Sequence, residues 1–111
     1  MLVGAVANQR PDLYGAIISG SPLIDMRRYN KLLAGASWMA EYGNPDVPED
    51  WAFMKEWSPY QNMSDGPDVP AAFYYLSTLD DRVHPGHARK AAAKHEAYGQ
   101  TFYYHEYREG G

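Results

Sequence analysis

Two aspartates, an arginine and two histidines lie close together in the second half of this 111-residue sequence. The tripeptide Asp80-Asp81-Arg82 begins three residues after the end of the apolar run Ala71 to Ser77, and His84 and His87 come next. A carboxylate in this setting could orient a catalytic histidine and stabilise its charged form. The alternative is a solvated turn whose charges form a local ion pair.

The pair His84 and His87 also invites a metal-site interpretation, because imidazole is a common metal ligand. A catalytic zinc normally has three protein ligands, whereas this pair supplies two, with Pro85 and Gly86 between them. The sequence contains no cysteine, which excludes thiol catalysis, disulfides and iron–sulfur ligation. We therefore expect neither a metal nor a cofactor.

The elements around the carboxylates predict an α/β fold. Ala71 to Ser77 is too short and too rich in aromatic residues for a helix, so we expect a strand covered on both faces. In open parallel sheets, chemistry collects beyond the carboxyl ends of strands, which is where the acidic pair lies. The other predicted strands are 16–20 and 101–107, and the predicted helices are 1–10, 23–42, 46–57 and 86–98. This alternation predicts three parallel strands flanked by helices.

Several residues of the predicted helices are expected to be structural. Asp25 is placed to cap the helix 23–42. His95 lies on the small-residue face of the last helix, where a histidine is more often buried and structural than catalytic. Trp51 and Trp57 repeat at helical spacing and are more typical of a core than of a ligand site.

The composition limits the partners. The net charge is −4 and the pI is about 5.4, with no basic cluster, so we expect neither a nucleic-acid partner nor an anionic membrane. The first residues lack the basic and long apolar regions of a signal peptide, and no stretch is long and apolar enough to span a membrane. The compartment stays open between cytoplasm and periplasm.

Six segments in order resemble the catalytic domain of the prolyl oligopeptidase family, which are serine peptidases with an α/β-hydrolase fold. They are LVGAVANQRPDLYGAII, SPLIDMRRY, GASWMAEYGNPD, WSPYQN, STLDDRVHPGHARK and EYREGG. The resemblance implies a partial α/β-hydrolase fold. It also implies that residues 1–111 are the C-terminal part of a peptidase catalytic domain, lacking the Gly-x-Ser-x-Gly-Gly nucleophile elbow and the loop with the triad histidine.

The resemblance also assigns site residues. Asp80 corresponds to the carboxylate of the catalytic triad, and Asp81 to a structural neighbour. Arg82 resembles the arginine that binds a substrate backbone carbonyl, and Trp38 resembles the ring that stacks on the substrate proline. The positions that match the apolar specificity pocket are Leu23, Trp38, Tyr42 and Val83.

The function implied is cleavage after proline in peptides, through an acyl-enzyme, within a longer chain that supplies the serine and the histidine. The partners implied are a proline-containing peptide, the remainder of the catalytic domain and a propeller domain upstream. These residues alone are expected to be inactive. Two alternatives stay open: an acyl-aminoacyl peptidase or esterase on the same fold, and a non-catalytic truncated product that acts in binding.

Overall fold

The computed structural model describes residues 1–110 and contains one sheet of three parallel strands. The strands are β1 (Ala16–Gly20), β2 (Ala71–Ser77) and β3 (Phe102–Tyr107), and β2 lies in the middle. Ala16 pairs with Ala71, and Ala72 pairs with Phe102. The predicted parallel sheet is confirmed, and the bounds predicted for the first two strands match the structure.

Four helices accompany the sheet: α1 (Leu2–Gln9), α2 (Met39–Tyr42), α3 (Pro48–Met54) and α4 (Gly86–Ala97). Proline at the first position of α3 and acidic residues in its first turn favour a helix start there. At the end of α4, Gly99 adopts a φ of +67°, which a side chain would disfavour. No helix among residues 1–110 is long and apolar enough to cross a membrane.

Only one face of the sheet is covered by the described residues, so the prediction that β2 is covered on both faces is met on one face and stays a prediction for the other. Ala72, Tyr74 and Leu76 are buried in one hydrophobic cluster with Ala88 and Ala91 of α4. The opposite face carries large apolar and aromatic side chains that are partly or largely exposed: Ile18, Phe73, Tyr75, Tyr103 and Tyr107. Successive side chains of a strand point to opposite faces of the sheet, and only the face with Ala72, Tyr74 and Leu76 packs against a helix here.

The prediction of a helix over 23–42, interrupted at Gly35, was wrong. The chain forms an irregular segment, then 3-10 turns at Tyr29–Lys31 and Leu33–Trp38, and only then α2. Leu33 lies in the left-handed region with a φ of +52°, which interrupts a regular helix. The backbone N–H groups of Asp25 and Met26 donate to the distant side chains of His87 and Ser58.

Gly35 is required by a close approach of two backbone segments. A Cβ atom built at this position would lie 1.7 Å from the carbonyl oxygen of Tyr29. At Gly15, by contrast, an added Cβ would meet nothing within 4 Å. The packing of the two 3-10 turns therefore depends on the missing side chain of Gly35.

We expect Gly35→Ala to lower the free energy of unfolding by about 1–3 kcal/mol, because the two turns must move apart. Urea unfolding followed by tryptophan fluorescence measures the change, with Gly15→Ala as the matched control. Equal stability of the two variants would contradict the close contact.

Candidate functional site

The loop between β2 and α4, residues 78–85, holds the candidate carboxylate in a defined position and is called the carboxylate loop below. Asp80 is half-buried, and its Oδ1 accepts the backbone N–H groups of Arg82 at 2.9 Å and Val83 at 3.0 Å. Its own N–H donates to the carbonyl of Ser77 at 3.3 Å. Asp81 and the side chain of Arg82 are exposed. The structure therefore distinguishes the two aspartates, since Asp80 organises the loop.

The carboxylate loop is also tied to the segments on either side of it. The hydroxyl oxygen of Ser77, at the end of β2, lies 3.0 Å and 2.7 Å from the carbonyl oxygens of Glu109 and Gly110, and it accepts the N–H of Leu79 at 3.0 Å. The carbonyl of Arg82 accepts the N–H of Ala34 at 3.2 Å. The loop thus contacts both the residues after β3 and the segment that leads to Trp38.

An apolar cavity of about 220 Å³ lies beside the carboxylate loop and is called the apolar pocket below. It is lined by Leu23, Trp38, Glu41, Tyr42 and Val83. Four of these are the positions expected from the sequence, and the structure brings them together from three separate segments. Glu41 was not predicted, and only its place beside Tyr42 on α2 could have indicated it.

The walls of the apolar pocket rest on a hydrophobic cluster of Leu23, Met26, Tyr29 and Met54. The rings of Tyr29 and Tyr42 meet edge to face, with centroids 6.0 Å apart. Burial, and next to it the negative charge of Glu41, raises the pKa of Tyr42. Tyr42 is therefore a neutral, supported wall of the pocket.

A buried polar cluster joins the segment before the pocket to α4. It consists of Asp25, Ser58, Gln61, His87 and Lys90. His87 Nδ1 accepts the backbone N–H groups of Ile24 at 3.3 Å and Asp25 at 2.9 Å. The carboxylate of Asp25 accepts from Gln61 Nε2 at 2.7 Å and from the Lys90 ammonium. Ser58 Oγ accepts the N–H of Met26 at 3.1 Å and donates to Gln61.

Burial sets the protonation of this cluster. It lowers the pKa of His87 to about 4, so the imidazole is neutral at pH 7. Burial alone would raise the pKa of Asp25, but the hydrogen bonds from Lys90 and Gln61 outweigh it and hold that pKa below its usual value. Asp25 is therefore an ionised carboxylate in a buried site, and not the helix cap that the sequence indicated.

Sequence reasoning missed the polar cluster because its members are far apart in the chain and because Asp25 and His87 each had a local explanation. His87 was grouped with His84 as a surface pair, yet it is 1% exposed. Its Nδ1 is occupied by backbone donors, and His84 Nδ1 accepts the N–H of Gly86 at 2.8 Å. Among residues 1–110, no group of three or more acidic, histidine or cysteine side chains could hold a metal ion.

A second cavity lies under α1 and has no residue of the carboxylate loop in its lining. His95 reaches it, and its ring is held at both nitrogens, by the hydroxyl of Tyr74 at 2.8 Å and by Gln100 Oε1 at 2.8 Å. His95 is 4% exposed, which confirms the expectation of a buried structural histidine. The apolar pocket beside Asp80 is thus the better candidate site.

The fold and the site together define the class of protein. A parallel sheet, a carboxylate just beyond the end of a strand and an apolar pocket beside it form part of an α/β-hydrolase catalytic domain. A solved prolyl endopeptidase structure superposes with a TM-score of 0.90 and 36% identity, covering 96% of this chain and 16% of that one. A post-proline cleaving enzyme from Rickettsia typhi gives a TM-score of 0.90 over 99% of this chain and 16% of its own.

The sequence comparisons identify the family. The family model "Prolyl oligopeptidase family" matches residues 1–111, and the chain belongs to this family. An uncharacterised peptidase of Sinorhizobium fredii is 50% identical over 111 residues, which are 100% of this chain and 15% of that protein. A prolyl endopeptidase of Elizabethkingia miricola is 40% identical over 98 residues, 87% of this chain and 14% of its own length. The chain thus spans about one seventh of the curated relatives it matches.

The buried, neutral His87 predicts a pH-dependent stability. The unfolded pKa is about 6.5 and the folded pKa about 4, so protonation favours the unfolded state. The stabilising contribution is full above pH 6.5 and falls as the pH drops toward 4, by on the order of 3 kcal/mol in all. Burial also lowers the pKa of His95, so protonation of His95 favours the unfolded state in the same way.

Urea unfolding between pH 7.5 and pH 4 measures this slope. Asn at position 87 keeps a hydrogen-bond acceptor but does not titrate, so His87→Asn should flatten the slope, while the contribution of His95 remains. An unchanged slope in His87→Asn would show that His87 is not buried in the neutral form.

Proposed function

We propose that this chain is part of the catalytic domain of a serine peptidase, in which Asp80 is the triad carboxylate. The observation that carries the proposal is the geometry of the carboxylate loop. Both loop hydrogen bonds fall on Oδ1 of Asp80, so Oδ2 is left to accept from a group outside the loop. A carboxylate fixed in this way suits the task of holding a histidine in one tautomer and stabilising its imidazolium form.

The serine and the histidine come from parts of a longer protein. Residues 1–111 contain no Gly-x-Ser-x-Gly segment, which is the turn that exposes the nucleophile in this class. In the proposed reaction the serine attacks the peptide carbonyl while the histidine removes its proton. The histidine then protonates the leaving amine, and water hydrolyses the acyl-enzyme by the same route. Asp80 stays ionised throughout and orients the histidine.

The proposed substrate is a peptide with proline before the cleaved bond. The apolar pocket has an aromatic wall, and Trp38 offers a rigid face for a proline ring. Arg82 is exposed beside the pocket residue Val83, where its guanidinium could donate to a substrate backbone carbonyl. The relatives named prolyl endopeptidase support this choice of substrate.

The assignment of Asp80 predicts a marked difference between two neighbouring variants in the longer protein. Asn at position 80 keeps an oxygen that can accept the two loop N–H groups but loses the charge that stabilises imidazolium. We therefore expect Asp80→Asn to lower kcat about 10³- to 10⁴-fold with the fold retained. Asp81→Asn should change kcat less than threefold, because Asp81 is exposed.

Steady-state kinetics on a proline-containing peptide, with circular dichroism as the fold control, measure both variants. A larger loss of kcat in Asp81→Asn than in Asp80→Asn would show that Asp81, and not Asp80, is the triad carboxylate. Equal, small losses in both would exclude a triad role for this loop.

The assignment of the apolar pocket predicts that Trp38 determines selectivity. Trp38→Ala removes the aromatic wall, so kcat/KM should fall about tenfold or more for proline peptides and much less for the matched alanine peptides. Trp57→Ala is the control, since Trp57 packs on the same hydrophobic cluster without lining the pocket. A parallel loss on both peptides in Trp38→Ala would indicate a packing role only.

A further inference from the structure

The segment that provides one wall of the apolar pocket is itself neither helix nor strand. Residues 21–28 are irregular, and Leu23 is both a buried residue and a wall of the pocket. The N–H groups of Ile24 and Asp25 are both accepted by a single atom, His87 Nδ1. The position of Leu23 therefore depends on a side chain more than sixty residues away in the chain.

His87 connects two walls of the pocket without lining it. It lies in the first turn of α4, directly after the carboxylate loop that carries Val83. The opposite wall, Leu23, immediately precedes the two residues that His87 holds. The imidazole of His87 thus fixes the distance between Leu23 and Val83, which lie on two walls of the pocket.

We propose that His87 is a positioning residue for the apolar pocket, and that its Nδ1 atom sets the selectivity for proline by holding Leu23 against the start of α4. The proposal rests on the proposed function, because it assigns the pocket to the residue before the cleaved bond. It adds a residue that does not touch the substrate and acts through the backbone of Ile24 and Asp25.

The charges around His87 explain why a neutral imidazole suits this task. The groups that face it are the carboxylate of Asp25, the ammonium of Lys90, the ring of His84 and the amino group of Met1. A carboxylate at position 87 would place a second negative charge beside the buried Asp25, at a high cost in desolvation and repulsion. Neutral imidazole, with its proton on Nε2, accepts two N–H groups at Nδ1 without adding charge.

The test compares His87→Asn, His87→Gln and His87→Leu in the longer protein, at pH 7.5 and well below the melting temperature. The amide oxygen of Asn can occupy the place of Nδ1, whereas that of Gln lies one bond further out, and Leu has no acceptor. His95→Leu is the matched control, because His95 is also buried on α4 but does not line the apolar pocket. The measurements are kcat and KM on matched peptides with proline or alanine before the cleaved bond.

We expect His87→Leu to lower the proline-to-alanine selectivity about tenfold, mainly through KM, and His87→Gln to lower it by a smaller factor. His87→Asn should restore selectivity to within about threefold of the wild type. His95→Leu should lower the melting temperature and leave the selectivity unchanged. If His87→Leu does not fold, the proline-to-alanine selectivities of His87→Asn and His87→Gln test the proposal in the same way.

Three results would overturn the proposal. They are an unchanged selectivity in both His87→Leu and His87→Gln, an equal loss in His95→Leu, and a loss in His87→Asn as large as in His87→Gln. If the wild-type protein cleaves no peptide, the proposed function fails by itself. In that event a crystal structure of His87→Gln decides on His87, because an unmoved Leu23 would show that His87 does not position it.

Discussion

The buried hydrogen bonds of the segment Ile24 to Met26 are the constraint on which the rest of the structure depends. These backbone N–H groups are removed from water, and each one without a partner would cost on the order of 1–3 kcal/mol. His87 accepts two of them and Ser58 accepts the third. These acceptors belong to α4 and to the turn after α3, where Ile24 also clusters with Ala88 and Ala91, and Met26 with Met54. Polar contacts and hydrophobic packing therefore hold this irregular segment together.

The parallel sheet imposes a second constraint, on the carboxylate. All three strands end at the same edge, so the loops after β2 and β3 must lie side by side. Ser77 contacts the carbonyls of Glu109 and Gly110 at this edge, 2.7–3.0 Å away. The loop that carries Asp80 therefore begins beside the residues that follow β3.

The sequence predicted the elements that local signals define and failed where distant side chains decide. β1, β2 and α4 were predicted closely, because proline, glycine and the apolar pattern bound them. The helix over 23–42 failed at Leu33, whose φ of +52° interrupts a regular helix. The segment before it is held by His87 and Ser58, which no local pattern reveals. The four pocket positions came from family resemblance, whereas Glu41 and the polar cluster were missed. The cover of the second face of β2 stays a prediction, because apolar residues on both sides of a strand do not say what covers them.

The roles of α4 connect the two constraints. Its first turn carries His87, its second carries Lys90, and its start is the end of the carboxylate loop. A helix is stiff over this length, so the segment before the pocket and the loop that holds Asp80 cannot move independently of each other. A displacement of α4 would shift the Leu23 wall and the carboxylate together. In the proposed peptidase, the geometry that selects the substrate and the geometry that orients the triad are therefore linked through one helix. Lys90 adds an ion pair with the buried carboxylate of Asp25, which ties the segment before the pocket to the same helix.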